Sequence, residues 1–134
     1  MTVYLDATAL VGLHIEGSAR TLVEDTLAAD DRWCSSAITL VESLALADRV
    51  VDEPVLRSDL EDLLRATWDR IAIVPVDARC LDRATDLIRR QPLRLSDAIH
   101  LAAADRLGRP VSFLTFDSPQ IPVALSLGLT VVSH

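Results

Sequence analysis

The sequence predicts an α/β protein: a five-stranded parallel sheet covered by helices on both faces. Three observations predict it. Short apolar or β-branched runs alternate with helical repeats along all 134 residues. Half of the residues are hydrophobic but only 4% are aromatic, so the core is aliphatic. No internal repeat, low-complexity tract or long linker divides the chain, which predicts one domain over residues 1–134.

Strand one is read over residues 2–6, in the apolar run that Asp6 ends. A helix is expected from Thr8 to Ile15, broken at Gly17-Ser18, and an amphipathic helix over 18–30 with Leu22, Val23, Thr26 and Leu27 on one side. Trp33 to Ser36 forms strand two. Ala37 to Val51 reads as a long apolar helix stopped by Asp52-Glu53-Pro54. Val55 to Trp68 is a more polar helix with Leu56, Leu60, Leu63 and Leu64 expected on its buried face. Ile71 to Val76 is strand three, and Asp77 opens a helix in which Leu81, Ala84, Leu87 and Ile88 face inward. After Gln91-Pro92, Ser96 opens a helix from Asp97 to Leu107, and Gly108-Arg109-Pro110 stops it. Val111 to Phe116 is strand four; Ser118-Pro119 starts a short helix ending near Gly128, and Leu129 to Val132 is strand five.

Composition excludes several chemistries. Every one of the 13 basic residues is Arg, so mechanisms that need a lysine, including Schiff bases and P-loops, are absent. Cys34 and Cys80 form no C-x-x-C pair and read as buried thiols of a reducing compartment. No stretch matches a membrane span or signal peptide, so a cytoplasmic location is expected, with no membrane association. The net charge of −7 argues against broad attraction to a polyanion, though cations bound locally offset it.

Four acids stand in otherwise apolar settings. Asp6 is the first charged side chain, at the end of strand one; Asp117 follows strand four. Glu42 is the sole charge from Ala37 to Ala47, and Asp97 opens the helix before strand four. Three have a ready structural alternative: Asp6 and Asp97 suit helix starts, and Asp117 precedes a turn signal; Glu42, inside a helix apolar almost all round with no basic residue one turn away, is harder to dismiss. In a parallel sheet, ligands bind beyond the carboxyl ends of the strands where strand order reverses. If strands one and four are neighbours, all four acids meet there. Thr8 and Thr115 place hydroxyls two residues from Asp6 and Asp117.

A carboxylate cluster without Cys or a His pair points to a hard cation, Mg2+ or Mn2+, and to phosphodiester hydrolysis. His100, three residues after Asp97, reads as packing or hydrogen-bonding beside the cluster rather than as a ligand; His14 and His134 carry no signal. Arg89, Arg90 and Arg94 are candidates for guiding a nucleic-acid backbone. Carboxylates so gathered repel one another by roughly 4 kcal/mol per pair at 4 Å and an effective dielectric of 20. At least one therefore has a raised pKa when no metal is bound.

The chain resembles PIN domains, and more narrowly the VapC-type toxins of toxin–antitoxin pairs. The resemblance rests on the ordered motifs YLDATAL, SSAITLVE, LSDAIHLAAA and FLTFD and on the closing GLTVVS. It implies a three-layer PIN-like fold, a Mg2+- or Mn2+-dependent endoribonuclease, a homodimer, and a cognate antitoxin that blocks the site. It places metal-binding and catalytic acids at Asp6, Glu42, Asp97 and Asp117, and helper hydroxyls at Thr8 and Thr115. It also implies an RNA substrate of the tRNA or rRNA class. The alternative of a different class is a catalytically silent PIN-like module that binds RNA or a protein. Phospho-receiver and haloacid-dehalogenase-type chemistries need the lysine that this chain lacks.

Overall fold

The computed structural model describes residues 1–134. In chain order its elements are β1 (Thr2–Leu5), α1 (Ala7–Gly12), α2 (Ser18–Ala29), β2 (Arg32–Ser36), α3 (Thr39–Val50), α4 (Pro54–Trp68) and β3 (Ala72–Val74). There follow α5 (Ala78–Arg90), α6 (Leu95–Asp105), β4 (Val111–Leu114), a 3-10 turn (Ser118–Gln120), α7 (Ile121–Ser126) and β5 (Thr130–Val132). All strand pairings are parallel, in the order β3-β2-β1-β4-β5. The chain first winds from β1 towards β3, then returns to β1's other side at β4. Strand order thus reverses between β1 and β4, and a crevice opens beyond their carboxyl ends.

The two faces of the sheet carry different cores. Val3, Leu5 and Leu114 pack with Leu10, Val23, Ala47, Leu60 and Leu64 from α1 to α4. Tyr4, Cys34 and Phe113 pack on the opposite face with Cys80, Ala84, Leu101 and Val123 from α5 to α7. The period of two along β1 and β4 produces this split. Tyr4 and Phe113 stack nearly parallel, ring centroids 5.4 Å apart. The α7 end is closed by a Schellman motif: Leu129 N–H bonds Ala124 O, Gly128 N–H bonds Leu125 O, and Gly128 adopts φ +79°. Both cysteines are buried and unpaired, and no helix is long and apolar enough to cross a membrane.

Several expectations are corrected. Of the four leucines expected on the buried face of α4, only Leu60 and Leu64 are buried; Leu56 is 59% and Leu63 50% exposed. Leu63 lies about 100° round the helix from Leu64, off the buried stripe. In α5 the buried stripe is Cys80, Ala84 and Leu87, at helical spacing, which leaves Leu81 and Ile88 part exposed. Strand three shortens to an edge, β3, with Ala72 and Ile73 exposed before Pro75 ends it. The first helix stops at Gly12 rather than Ile15. A Cβ there would lie 3.2 Å from the Phe116 ring, a tight contact that the ring would have to yield to by a few tenths of an ångström.

Candidate active site

Register explains why the central acids meet. Leu5 pairs with Leu114, so the next residues, Asp6 and Thr115, fall side by side as both strands end. The Asp6 backbone N–H still donates to Leu114 O at 3.3 Å. Asp6 then turns the chain into α1 and caps it, its Oδ1 accepting from Ala9 N–H at 3.0 Å. Thr8 Oγ1 donates to the same oxygen at 2.7 Å. The other oxygen, Oδ2, accepts from Thr115 Oγ1 at 2.5 Å and Gln120 Nε2 at 3.2 Å. Four donors therefore hold a carboxylate that is 1% exposed, and its helix-cap role and its place in the cluster coexist.

The two threonines act as paired clamps. Thr8 Oγ1 also accepts from Phe116 N–H at 2.9 Å, and Thr115 Oγ1 from Asp117 N–H at 3.0 Å. Each hydroxyl ties one Asp6 oxygen to the loop that carries Asp117.

Asp97, in the first turn of α6, is also 1% exposed. Gln120 Nε2 reaches Asp97 Oδ1 at 3.1 Å and Asp117 Oδ2 at 3.4 Å. Arg94 bridges the same pair, with Nε 3.2 Å from Asp97 Oδ2 and Nη2 2.7 Å from Asp117 Oδ2. Burial and the neighbouring Asp97 carboxylate push the Asp117 carboxyl above its ordinary range, with Gln120 and Arg94 opposing them. The raised pKa expected of a crowded acid is found there. Asp97, first, and Asp117 hold the Arg94 guanidinium more firmly protonated.

Glu42 lines the same cleft from α3 but joins a separate chain of bonds. His100 Nε2 lies 2.6 Å from Glu42 Oε1, and His100 Nδ1 lies 2.7 Å from the hydroxyl of Tyr4. Tyr4 is fully buried, and burial pushes its phenol well above 10, so it stays neutral. His100 thus hydrogen-bonds beside the acids, as its spacing suggested.

The four acids, Thr8, Arg94 and Gln120 line a cleft of about 350 Å³. Thr115 lies just beneath it, fully buried. Arg89 and Arg90 do not line it; they sit exposed at the end of α5. Sequence reasoning missed Gln120, Tyr4 and Arg49, which lines the cleft from the last turn of α3. Tyr4 carried a usable signal, since a tyrosine inside an apolar strand needs a partner for its hydroxyl.

The donor set is the one a hard cation takes: aspartate oxygens, a glutamate and an amide. Gln120 Oε1 is buried without a hydrogen-bond partner, an orphan acceptor that costs about 1–3 kcal/mol. An acceptor left over on the amide whose Nε2 meets three carboxylates fits a cation. As the side chains stand, no three of the His, Cys, Asp and Glu residues form a group that could hold a metal ion. Gln120 Nε2 and Arg94 instead hold the aspartates from between them.

Comparison with known proteins adds to the geometry. The profile of the PIN domain matches residues 3–128. Ribonuclease VapC46 of Mycobacterium tuberculosis is 32% identical over 133 residues, which span 98% of this chain and 96% of that protein. A toxin–antitoxin complex from Klebsiella pneumoniae holds a chain of TM-score 0.71 at 23% identity, covering 97% of this chain and 95% of that one. VapC20 of M. tuberculosis, described as a sarcin–ricin loop cleaving toxin, gives TM-score 0.72 at 17% identity, covering 90% and 94%. At these identities the two structures speak for the fold.

Proposed function

Since the chain belongs to the PIN-domain family, we propose that residues 1–134 form a single domain that is a divalent-metal-dependent endoribonuclease, the toxin of a toxin–antitoxin pair. The observation that carries this reading is the convergence of Asp6, Asp97 and Asp117 on one amide at the β1/β4 crevice. The one-third identity to a ribonuclease along the whole chain supports the activity. Asp6, Asp97, Asp117 and Glu42 would hold Mg2+ or Mn2+. Bound there, the cation supplies polarisation of a phosphate oxygen and acidification of water.

The chain's own residues do the rest. Ala9 N–H, Thr8 and Thr115 keep Asp6 in place, and as a ligand it would give up only the Gln120 bond on Oδ2. His100 and Tyr4 fix Glu42 through Oε1, which leaves Oε2 free to face the cation or its water. Arg94 and Arg49 are the arginines that line the cleft and are placed to meet a backbone phosphate. With attack by water rather than by the 2′-hydroxyl, the products carry 5′-phosphate and 3′-hydroxyl ends. The substrate proposed is a structured RNA of the tRNA or rRNA class; the structural neighbour VapC20 is described as cleaving the sarcin–ricin loop.

The partner proposed is an antitoxin whose amphipathic segment lies in the apolar groove of Val11, Ile15, Ala19, Leu46, Val50 and Phe116. That groove shares Thr8, Leu46 and Phe116 with the acid cleft, so a basic side chain of the same segment reaches the carboxylates. A net charge of −7 suits such a partner. The toxin is proposed to act as a homodimer in the cytoplasm. Expression of the chain alone should arrest growth of its host, Asp97→Asn should not, and a small protein should co-purify with both. Unimpaired growth with the parent chain, and no small protein retained, would remove the toxin reading.

A further inference from the structure

Gln120 closes the floor of the acid cleft at 2% exposure, carried there by the 3-10 turn after Asp117. Its Nε2 faces Asp6, Asp97 and Asp117 at 3.2, 3.1 and 3.4 Å. Two amide hydrogens serve three acceptors there, each at the long end of the hydrogen-bond range. Its Oε1 is buried with no donor. A Met or Leu would fill the space without an orphan acceptor, and a cationic side chain would neutralise the acids permanently. An amide differs from both. Its last torsion is broad and two-fold, so half a turn exchanges donor for acceptor in the same space.

We propose that Gln120 is a two-state positioning residue: with no cation in the cleft its Nε2 holds the three aspartates together, and with a divalent cation its Oε1 turns to the cation or to that cation's water. This rests on the reading of the cleft as a divalent-cation site. The bonds to Nε2 are long and divide two hydrogens among three acceptors, whereas an oxygen facing a divalent cation, directly or through water, is strongly held. Removing the side chain therefore harms the cation-bound form more than the free form.

The test is a Mg2+ titration of the full chain, followed by calorimetry and by melting temperature, for the parent, Gln120→Met and Gln120→Glu. Gln120→Met lacks both donor and oxygen: its Mg2+ affinity should fall about tenfold, and Mg2+ should raise its melting temperature less than the parent's. Gln120→Glu lacks the donor but adds a charged oxygen: it should melt lower without metal, yet bind Mg2+ more tightly than the parent. Equal or tighter Mg2+ binding by Gln120→Met would show a mere clip on the acids and overturn the proposal while leaving the metal reading intact. A parent that binds neither Mg2+ nor Mn2+ would overturn both. If Gln120→Met does not fold, Gln120→Glu decides alone: affinity at or below the parent's defeats the proposal.

Discussion

Thr115→Val is the substitution whose effect the geometry defines best. Valine matches threonine in shape, so packing is preserved and only the hydroxyl is lost. That hydroxyl makes two bonds in a fully buried position: it donates to Asp6 Oδ2 and accepts from Asp117 N–H. Losing the first takes one of four donors from a buried carboxylate, a charge-assisted bond worth about 1.5–3 kcal/mol. Losing the second leaves a backbone donor without its partner, at about 1–3 kcal/mol. Some relaxation towards the cleft recovers part of this, so the expected cost is about 3 kcal/mol, a fall in melting temperature of roughly 10 °C for a domain of this size. Thr115→Ser keeps both bonds and should cost about 1 kcal/mol for the lost methyl. Thr8→Val removes the matching clamp, but Thr8 is half-buried and water can replace it, so about 1 kcal/mol is expected. Thermal melts of the four proteins in EDTA decide the matter. A Thr115→Val protein melting within about 2 °C of the parent would refute the clamp.

Two further outcomes follow from the charges. Asp117 has a raised folded pKa, so its ionisation costs stability as pH rises through that value and costs nothing below the unfolded value of 3.8. In EDTA, Asp117→Asn should thus be more stable than the parent at pH 7, with the gap closing towards pH 3.8; a gap that widens in acid contradicts the sign. Arg94→Ala should reduce the salt dependence of RNA binding, measured in EDTA, by about one unit of slope, and Arg89→Ala should leave it unchanged. Equal effects from both would place the backbone contact outside the cleft.

The fold was legible because alternating strands and helices leave few topologies, and the sheet order then put Asp6 beside Thr115. The four acids were legible by contrast with apolar surroundings. Asp6 was ambiguous between cap and cluster because the same local sequence serves both, and only the register with β4 shows the two roles together. Leu56, Leu63, Leu81 and Ile88 misled because helical spacing marks a stripe without saying how wide the contact is. Gln120 was invisible for a different reason. It follows Ser118-Pro119, where a polar residue reads as part of a surface turn, and the partners that enclose it, Asp97 of α6 and Asp6 after β1, are far away in sequence.

The most direct test of the account is cleavage itself. Purified chain is incubated with a mixed tRNA and rRNA pool in Mg2+, in Mn2+ and in EDTA, beside Asp97→Asn, and the new ends are mapped. The account predicts discrete cuts with 5′-phosphate and 3′-hydroxyl ends, lost in EDTA, restored by added metal and absent with Asp97→Asn. RNA that is bound but left whole under every condition would show a silent binding module, and 2′,3′-cyclic phosphate ends or cuts that survive EDTA would contradict the metal-dependent mechanism.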